Sequence, residues 1–238
     1  MIASSSPVVY LTGATGNLGT AIARTLLLQG ARLVLPERAH DRLTKLFPEL
    51  AGSPDHLLLS GVNLADEASV AATVSAARER FGRIDGLVNT VGAWRGGGTS
   101  HESPLADWNF LHEANVLPVL LTCRALAPVF LSQKSGRIVN ISARGGLQGE
   151  AGSAAYTAAK AAVLRITETF SAELRESGIN VNAVLPSTID TPQNRAAMPA
   201  ANYARWVSPD AIADVVAFLL SDGARAIHGA SIPVYGLS

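Results

Sequence analysis

The chain has 238 residues, 48% of them hydrophobic and only 5% aromatic, with 19 Lys plus Arg against 19 Asp plus Glu. That length accommodates one large α/β domain, and an Ala-, Leu- and Val-rich composition suits buried parallel strands sheathed by helices. Zero net charge without a Lys/Arg block argues against nucleic acid or an anionic membrane as partner, and the single cysteine, Cys123, excludes an internal disulfide or a multi-cysteine metal site.

Met1 to Pro7 lack a basic region followed by a long apolar run, so no signal peptide is expected. Apolar runs such as Leu26-Leu27-Leu28 are too short to cross a bilayer, which makes a soluble cytoplasmic protein the expectation. Val8–Thr12 reads as a first strand, followed by a glycine-rich turn and a helix through Ala21–Gln29. Arg32–Leu35 reads as a second strand, with a helix near His40–Leu46 broken by Pro48 and Gly52-Ser53-Pro54. His56–Ser60 is a third strand, Asp66–Phe81 a helix, and Ile84–Asn89 a fourth strand. After a glycine-rich loop, one long helix is expected from about Pro104 to Leu131, bent or divided by Pro118 and Pro128. Gly136–Ser142, Asn180–Leu185 and Ser231–Val234 complete the strands, with helices at Ala154–Glu176 and Pro209–Leu220. No linker or repeat divides residues 1–238. Strands alternating with helices predict one α/β domain, a doubly wound parallel sheet of Rossmann type covered on both faces. Such a sheet binds ligands beyond the carboxyl ends of its strands.

The turn Thr12-Gly13-Ala14-Thr15-Gly16-Asn17-Leu18-Gly19 follows the first strand directly and opens the first helix. Glycines there permit close backbone approach, and a helix N-terminus offers N–H groups to a pyrophosphate, so Gly13, Thr15, Gly16, Asn17, Leu18 and Gly19 are candidate dinucleotide ligands. Glu37, at the end of the second strand, is placed for the adenosine ribose hydroxyls. Its carboxylate repels a 2′-phosphate and favours NAD(H), whereas Arg38 beside it admits NADP(H). Asn63 and Leu64 follow the third strand, with Asn63 placed to bond adenine. Asn89 and Gly92 follow the fourth. The five histidines show no ligand spacing, so no metal is assigned.

Tyr156 and Lys160, four apart, share one helix face, where an ammonium near a phenol lowers its pKa and makes a proton donor usable near neutral pH. With the glycine turn, Asn89-Thr90-Val91-Gly92, Asn115, the Gly136–Ile141 strand and Pro186-Ser187, this pair gives the whole chain a specific resemblance to the short-chain dehydrogenases/reductases. The resemblance implies a nicotinamide cofactor, proton transfer by Tyr156, a ribose contact and phenol activation by Lys160, and a proton-relay water retained by Asn115. It also assigns Pro186 and Ile189 to the cofactor.

Two positions depart from that family. Asn17 stands where a Gly or Ala is usual, and an asparagine tolerating positive φ would preserve the turn. Ala143 stands thirteen residues before Tyr156, where the family has its catalytic serine. Ser142 is adjacent, but in a continuing strand its side chain points to the opposite face. Gly92-Ala93-Trp94-Arg95-Gly96-Gly97-Gly98 and Asp190–Arg195, with Met198, Pro199 and Trp206, are similar to dihydropteridine reductases. Those enzymes use NADH, keep the Tyr/Lys pair and carry alanine for serine. That likeness implies a quinonoid dihydropterin substrate, with Trp94, Ala143, Tyr156 and Trp206 around it. A carbonyl or alcohol oxidoreductase lacking the serine, and a degenerate dinucleotide-binding regulator, are the alternatives. Residues 187–209 are long enough for a lid over the substrate. Apolar surface on the two long helices predicts a homodimer or homotetramer.

Overall fold

The computed structural model describes residues 6–238; the opening stretch read as lacking a signal peptide lies in part, at residues 1–5, outside the described residues. Seven strands form one parallel sheet in the order β3-β2-β1-β4-β5-β6-β7. They are β1 (Val8–Thr12), β2 (Arg32–Pro36), β3 (Leu57–Leu59), β4 (Gly86–Asn89), β5 (Gly136–Ile141), β6 (Ile179–Pro186) and β7 (Ser231–Val234). Alternation along each strand feeds two cores. Val9, Leu11, Leu33 and Leu35 face α1 (Asn17–Leu28) and α8 (Pro209–Leu220). Val8, Tyr10, Val34 and Leu87 face α3 (Glu67–Phe81), α5 (Leu117–Gln133) and α6 (Ala154–Leu174). Burial on both faces is why these strands read as nearly continuous apolar runs. The order reverses between β1 and β4, which places the ligand crevice at their carboxyl ends. The expected doubly wound Rossmann-type architecture is therefore the one found.

Several boundaries differ from expectation. The first helix starts at Asn17, four residues early, because the end of the glycine turn is itself the first helical turn. A short α2 (Arg42–Leu46) follows β2. The long helical run is divided at Pro118, as expected, into α4 (Leu105–Asn115) and α5, parted at Val116. Pro118 has no N–H for the Ala114 carbonyl, so the ladder breaks there. Pro128 does not divide α5. It faces solvent, as does Arg124 one turn earlier, so water can reach the carbonyl that the proline leaves unpaired. Among the described residues, Leu105–Gln133 alone is long and apolar enough to cross a membrane, but this broken run is mostly buried against the rest of the fold.

Residues 187–209 are not a bare loop. The isolated bridge Ile189↔Val207 ties their ends together, and α7 (Pro192–Ala197) lies between, capped by the Thr191 hydroxyl that accepts from Asn194 N.

Candidate active site

The turn after β1 has its positive φ at Gly13 (67°), not at Asn17, which is helical. The expectation that Asn17 rescues the turn through positive φ is thus corrected: nothing there demands it. Gly19 is the constrained position, since a Cβ would lie 2.0 Å from the Gly13 carbonyl oxygen. Gly16 caps α1 without a side-chain bond, which leaves first-turn amides for an anion. A cavity of about 530 Å³ opens at this turn and collects Gly13, Thr15 and Gly16 from β1, Glu37 and Arg38 from β2, Asn63 and Leu64 after β3, and Gly92 after β4. Its volume and donor-rich phosphate end fit a dinucleotide.

Glu37 accepts from the Thr15 hydroxyl and, at 3.0 Å, from Ala39 N. Asn63 Oδ1 accepts from Ala65 N at 3.1 Å and leaves its amide nitrogen for a base. Thr90, from the Asn89–Gly92 motif, also lines the cavity, as do Arg42, Phe110 and Ala114, which the sequence did not mark. Arg42 donates to Thr15 O at 3.4 Å, and neither it nor Arg38 has a carboxylate partner among the described residues.

Asn89, a cofactor-side candidate in the sequence, lies outside that lining. It is fully buried, donates to Asn140 Oδ1 at 3.0 Å and accepts from Thr122 Oγ1 at 2.9 Å. Asn140 in turn donates to Thr167 Oγ1 on α6 at 2.9 Å. Thr90 closes the other end, donating its hydroxyl to Thr12 O at 2.6 Å. A buried polar chain therefore crosses β1, β4 and β5 into α6. Leu18 is half-buried behind the turn, and Pro186 and Ile189 lie at and beyond the end of β6, away from the cavity's adenosine half. The Asn17 amide donates to Gln193 Oε1 at 2.5 Å, so α7 reaches across to the phosphate turn.

Tyr156 and Lys160 lie one turn apart on α6, with Lys160 Nζ 5.9 Å from the phenol ring centroid. The ammonium is buried, at 6% exposure for the residue, and donates to Ile141 O at 3.3 Å. Burial lowers its pKa from 10.5 to about 8. Tyr156 moves against expectation: burial first, and then the Glu150 carboxylate, raise it to about 12. The sequence showed a lysine one turn away but neither the desolvation nor the acid. Asn115 clamps the segment after β4, its amide donating to Ala93 O and Leu111 O at 3.0 and 2.9 Å while Oδ1 accepts from Ala93 N at 3.2 Å. Both amide hydrogens are engaged, so the expected water-retaining role does not fall to its N–H groups. Gly92 has to be a glycine here, because a Cβ would lie 2.7 Å from Asn115 Oδ1 and 3.1 Å from Lys160 Nζ.

Ala143 continues β5 in extended conformation, and Ser142 Oγ donates to Lys160 O at 2.8 Å. That hydroxyl is committed to α6, as the strand alternation implies, and does not replace the absent one. Arg144 follows, 3.8 Å from Glu150, with its guanidinium 5.9 Å from the Tyr235 ring. Trp94 is 62% exposed, and Trp206 packs at 4.8 Å on Tyr203 inside the 187–209 segment.

The sequence profile of the family described as short chain dehydrogenase matches residues 7–202. A 3-oxoacyl-(acyl-carrier-protein) reductase of Synechocystis sp. is 32% identical over 99% of this chain and 98% of its own. A cis-4-hydroxycyclohexanecarboxylate dehydrogenase of Sinomonas cyclohexanicum is 34% identical over 96% and 95%. The crystal structure of a variant actinorhodin polyketide ketoreductase with NADPH superposes with a TM-score of 0.88 at 31% identity, over 99% of this chain and 98% of that one.

Proposed function

The chain belongs to the short-chain dehydrogenase/reductase family and is an oxidoreductase working with a nicotinamide dinucleotide; on that premise we propose that it interconverts a ketone and a secondary alcohol, with Tyr156 transferring the proton. The observation that carries this reading is the buried Tyr156/Lys160 pair beside Gly92, where the cavity wall ends. When bound, the cofactor supplies or accepts the hydride. The glycine turn holds its phosphates and Glu37 its adenosine ribose. A phenol with a pKa near 12 stays protonated at neutral pH, so it arrives as a donor to the carbonyl oxygen. Lys160, charged below about pH 8, then offsets the phenolate that donation creates. Ala143 contributes no hydrogen bond, so the substrate oxygen is held by Tyr156 without the family's usual partner.

Glu37 supports NADH, because its carboxylate repels a 2′-phosphate, while Arg38 and Arg42 are the groups through which NADPH would be tolerated. The exposed small residues Ala154 and Ala158 on α6 support a self-associated enzyme. Quinonoid dihydropterin reduction is the second reading, favoured by Ala143, since a ring protonated on nitrogen needs no serine.

The test is NADH and NADPH consumption with a panel of ketones and with freshly generated quinonoid dihydropterin. Tyr156→Phe is expected to lower turnover by about a hundred- to ten-thousandfold while cofactor binding persists. A mutant that keeps its turnover refutes the assignment. Cofactor binding without turnover on any substrate points instead to the regulator.

A further inference from the structure

The carboxyl ends of β5, β6 and β7 lie side by side, with Ile141 opposite Val184 and Pro186 opposite Val234. Arg144, just past β5, reaches across this edge toward Tyr235, just past β7. It follows Ala143 directly at the carboxyl end of β5. Three observations converge on that side chain. It is 45% exposed and meets Glu150, its one ionic partner among the described residues, at 3.8 Å, too far for a hydrogen bond. By contrast, Arg95 is bonded to Asp107 at 2.9 Å and covers Phe110, and Arg195 grips Asp190 through two bonds of 2.6 and 2.7 Å. Glu150 is close enough to act on the Tyr156 phenol, and its carboxyl carbon is 3.7 Å from where a Gly145 Cβ would stand, so this loose ion pair adjoins the reacting group. Beside it, Ala143 leaves a substrate oxygen with one anchor fewer.

We propose that Arg144 is a specificity-determining residue that receives the carboxylate of an oxo-acid substrate (or the corresponding hydroxy acid) whose carbonyl carbon lies at Tyr156. This rests on the reductase reading above and names the substrate class for the same site. A planar guanidinium matches a carboxylate through two parallel hydrogen bonds. Glu150 is the occupant that the ligand displaces. It stands between Gly149 and Gly152, the latter at φ 76°, in a stretch of backbone able to swing. A single guanidinium suits a monoanion better than a phosphate dianion. Binding energy gathered at this remote group holds the carbonyl in place, which the missing serine hydroxyl no longer does.

Two measurements decide the matter. Steady-state reduction of levulinate and 4-oxocyclohexanecarboxylate is compared with that of their methyl esters, in the wild type, Arg144→Gln and Arg144→Lys. Separately, cyclohexanecarboxylate and cyclohexanecarboxamide are titrated calorimetrically into protein saturated with NADH or NADPH. The expected result is a kcat/KM for the oxo acids that falls roughly ten- to a hundredfold in Arg144→Gln, with that for the esters little changed and partial recovery in Arg144→Lys. The carboxylate should also bind at least about tenfold tighter than the amide, and Arg144→Gln should erase that preference. Equal handling of acids and esters, an Arg144→Gln variant that keeps the preference, or no carboxylate binding would overturn the assignment while leaving ketone reduction intact. Arg144-dependent carboxylate binding in a protein that reduces no oxo compound would instead sustain this site and sink the reductase reading.

Discussion

Lys160→Met isolates the energetic cost of burying Lys160. The native ammonium is buried beneath Gly92 with one backbone acceptor, and its pKa is lowered from 10.5 to about 8. Folding therefore works against the proton. Between pH 8 and 10.5 the unfolded chain binds a proton that the folded chain does not, so wild-type stability rises with pH in that window. At one pKa unit per 1.36 kcal/mol, the charged lysine costs roughly 3 kcal/mol at pH 7 and roughly 1.4 kcal/mol at pH 9.5. Methionine keeps the unbranched stem and removes the charge, at the loss of one hydrogen bond to Ile141 O worth about 1 kcal/mol. The variant should thus be about 2 kcal/mol more stable than wild type at pH 7, with the difference nearly gone at pH 9.5, and it should be catalytically dead. Urea unfolding at both pH values and one protein concentration, without cofactor, reads this directly. A variant less stable than wild type at pH 7, or a gap that does not narrow as pH rises, would refute the claim that desolvation dominates at Lys160.

Ala143→Ser restores the hydroxyl beside Tyr156. For a ketone substrate kcat should rise by up to about a hundred- to thousandfold, the scale of one oxyanion donor, whereas an unchanged rate would favour a substrate that needs none, such as the dihydropterin. Glu37→Ala should raise kcat/KM for NADPH about tenfold or more and lower it for NADH, as repulsion of the 2′-phosphate is removed and Arg38 and Arg42 remain. A wild type that already prefers NADPH would show that Glu37, held by Thr15 and Ala39, does not set the choice.

The sheet was legible because its strands are short apolar runs punctuated by glycine, and the turn, Tyr156 and Lys160 were legible because their spacing is fixed by one turn and one helix. Helix starts were less so: Asn17, Leu18 and Gly19 carry no apolar periodicity, yet they form the first turn of α1. Arg42, Phe110 and Ala114 reach the cavity only because α2 and α4 fold over it, a juxtaposition across the chain that no local pattern encodes. The direction of the Tyr156 shift was missed for a related reason. Lysine at the next turn is visible in the sequence, but the depth of burial and the approach of Glu150 belong to the tertiary structure. Asn89 shows the reverse case, a residue of the right type in the right motif whose side chain is used beneath the site.

The buried chain from Thr90 and Thr12 through Asn89 and Asn140 to Thr167 has a consequence for how this scaffold can diversify. It rivets the phosphate turn to the helix bearing Tyr156 and Lys160, so hydride and proton delivery keep a common frame. The 187–209 segment and the Arg144–Glu150 stretch contribute no side chain to that buried polar chain. On the reading that those two stretches meet the substrate, its choice would be exchanged like a tool bit, without retooling the machine that drives it.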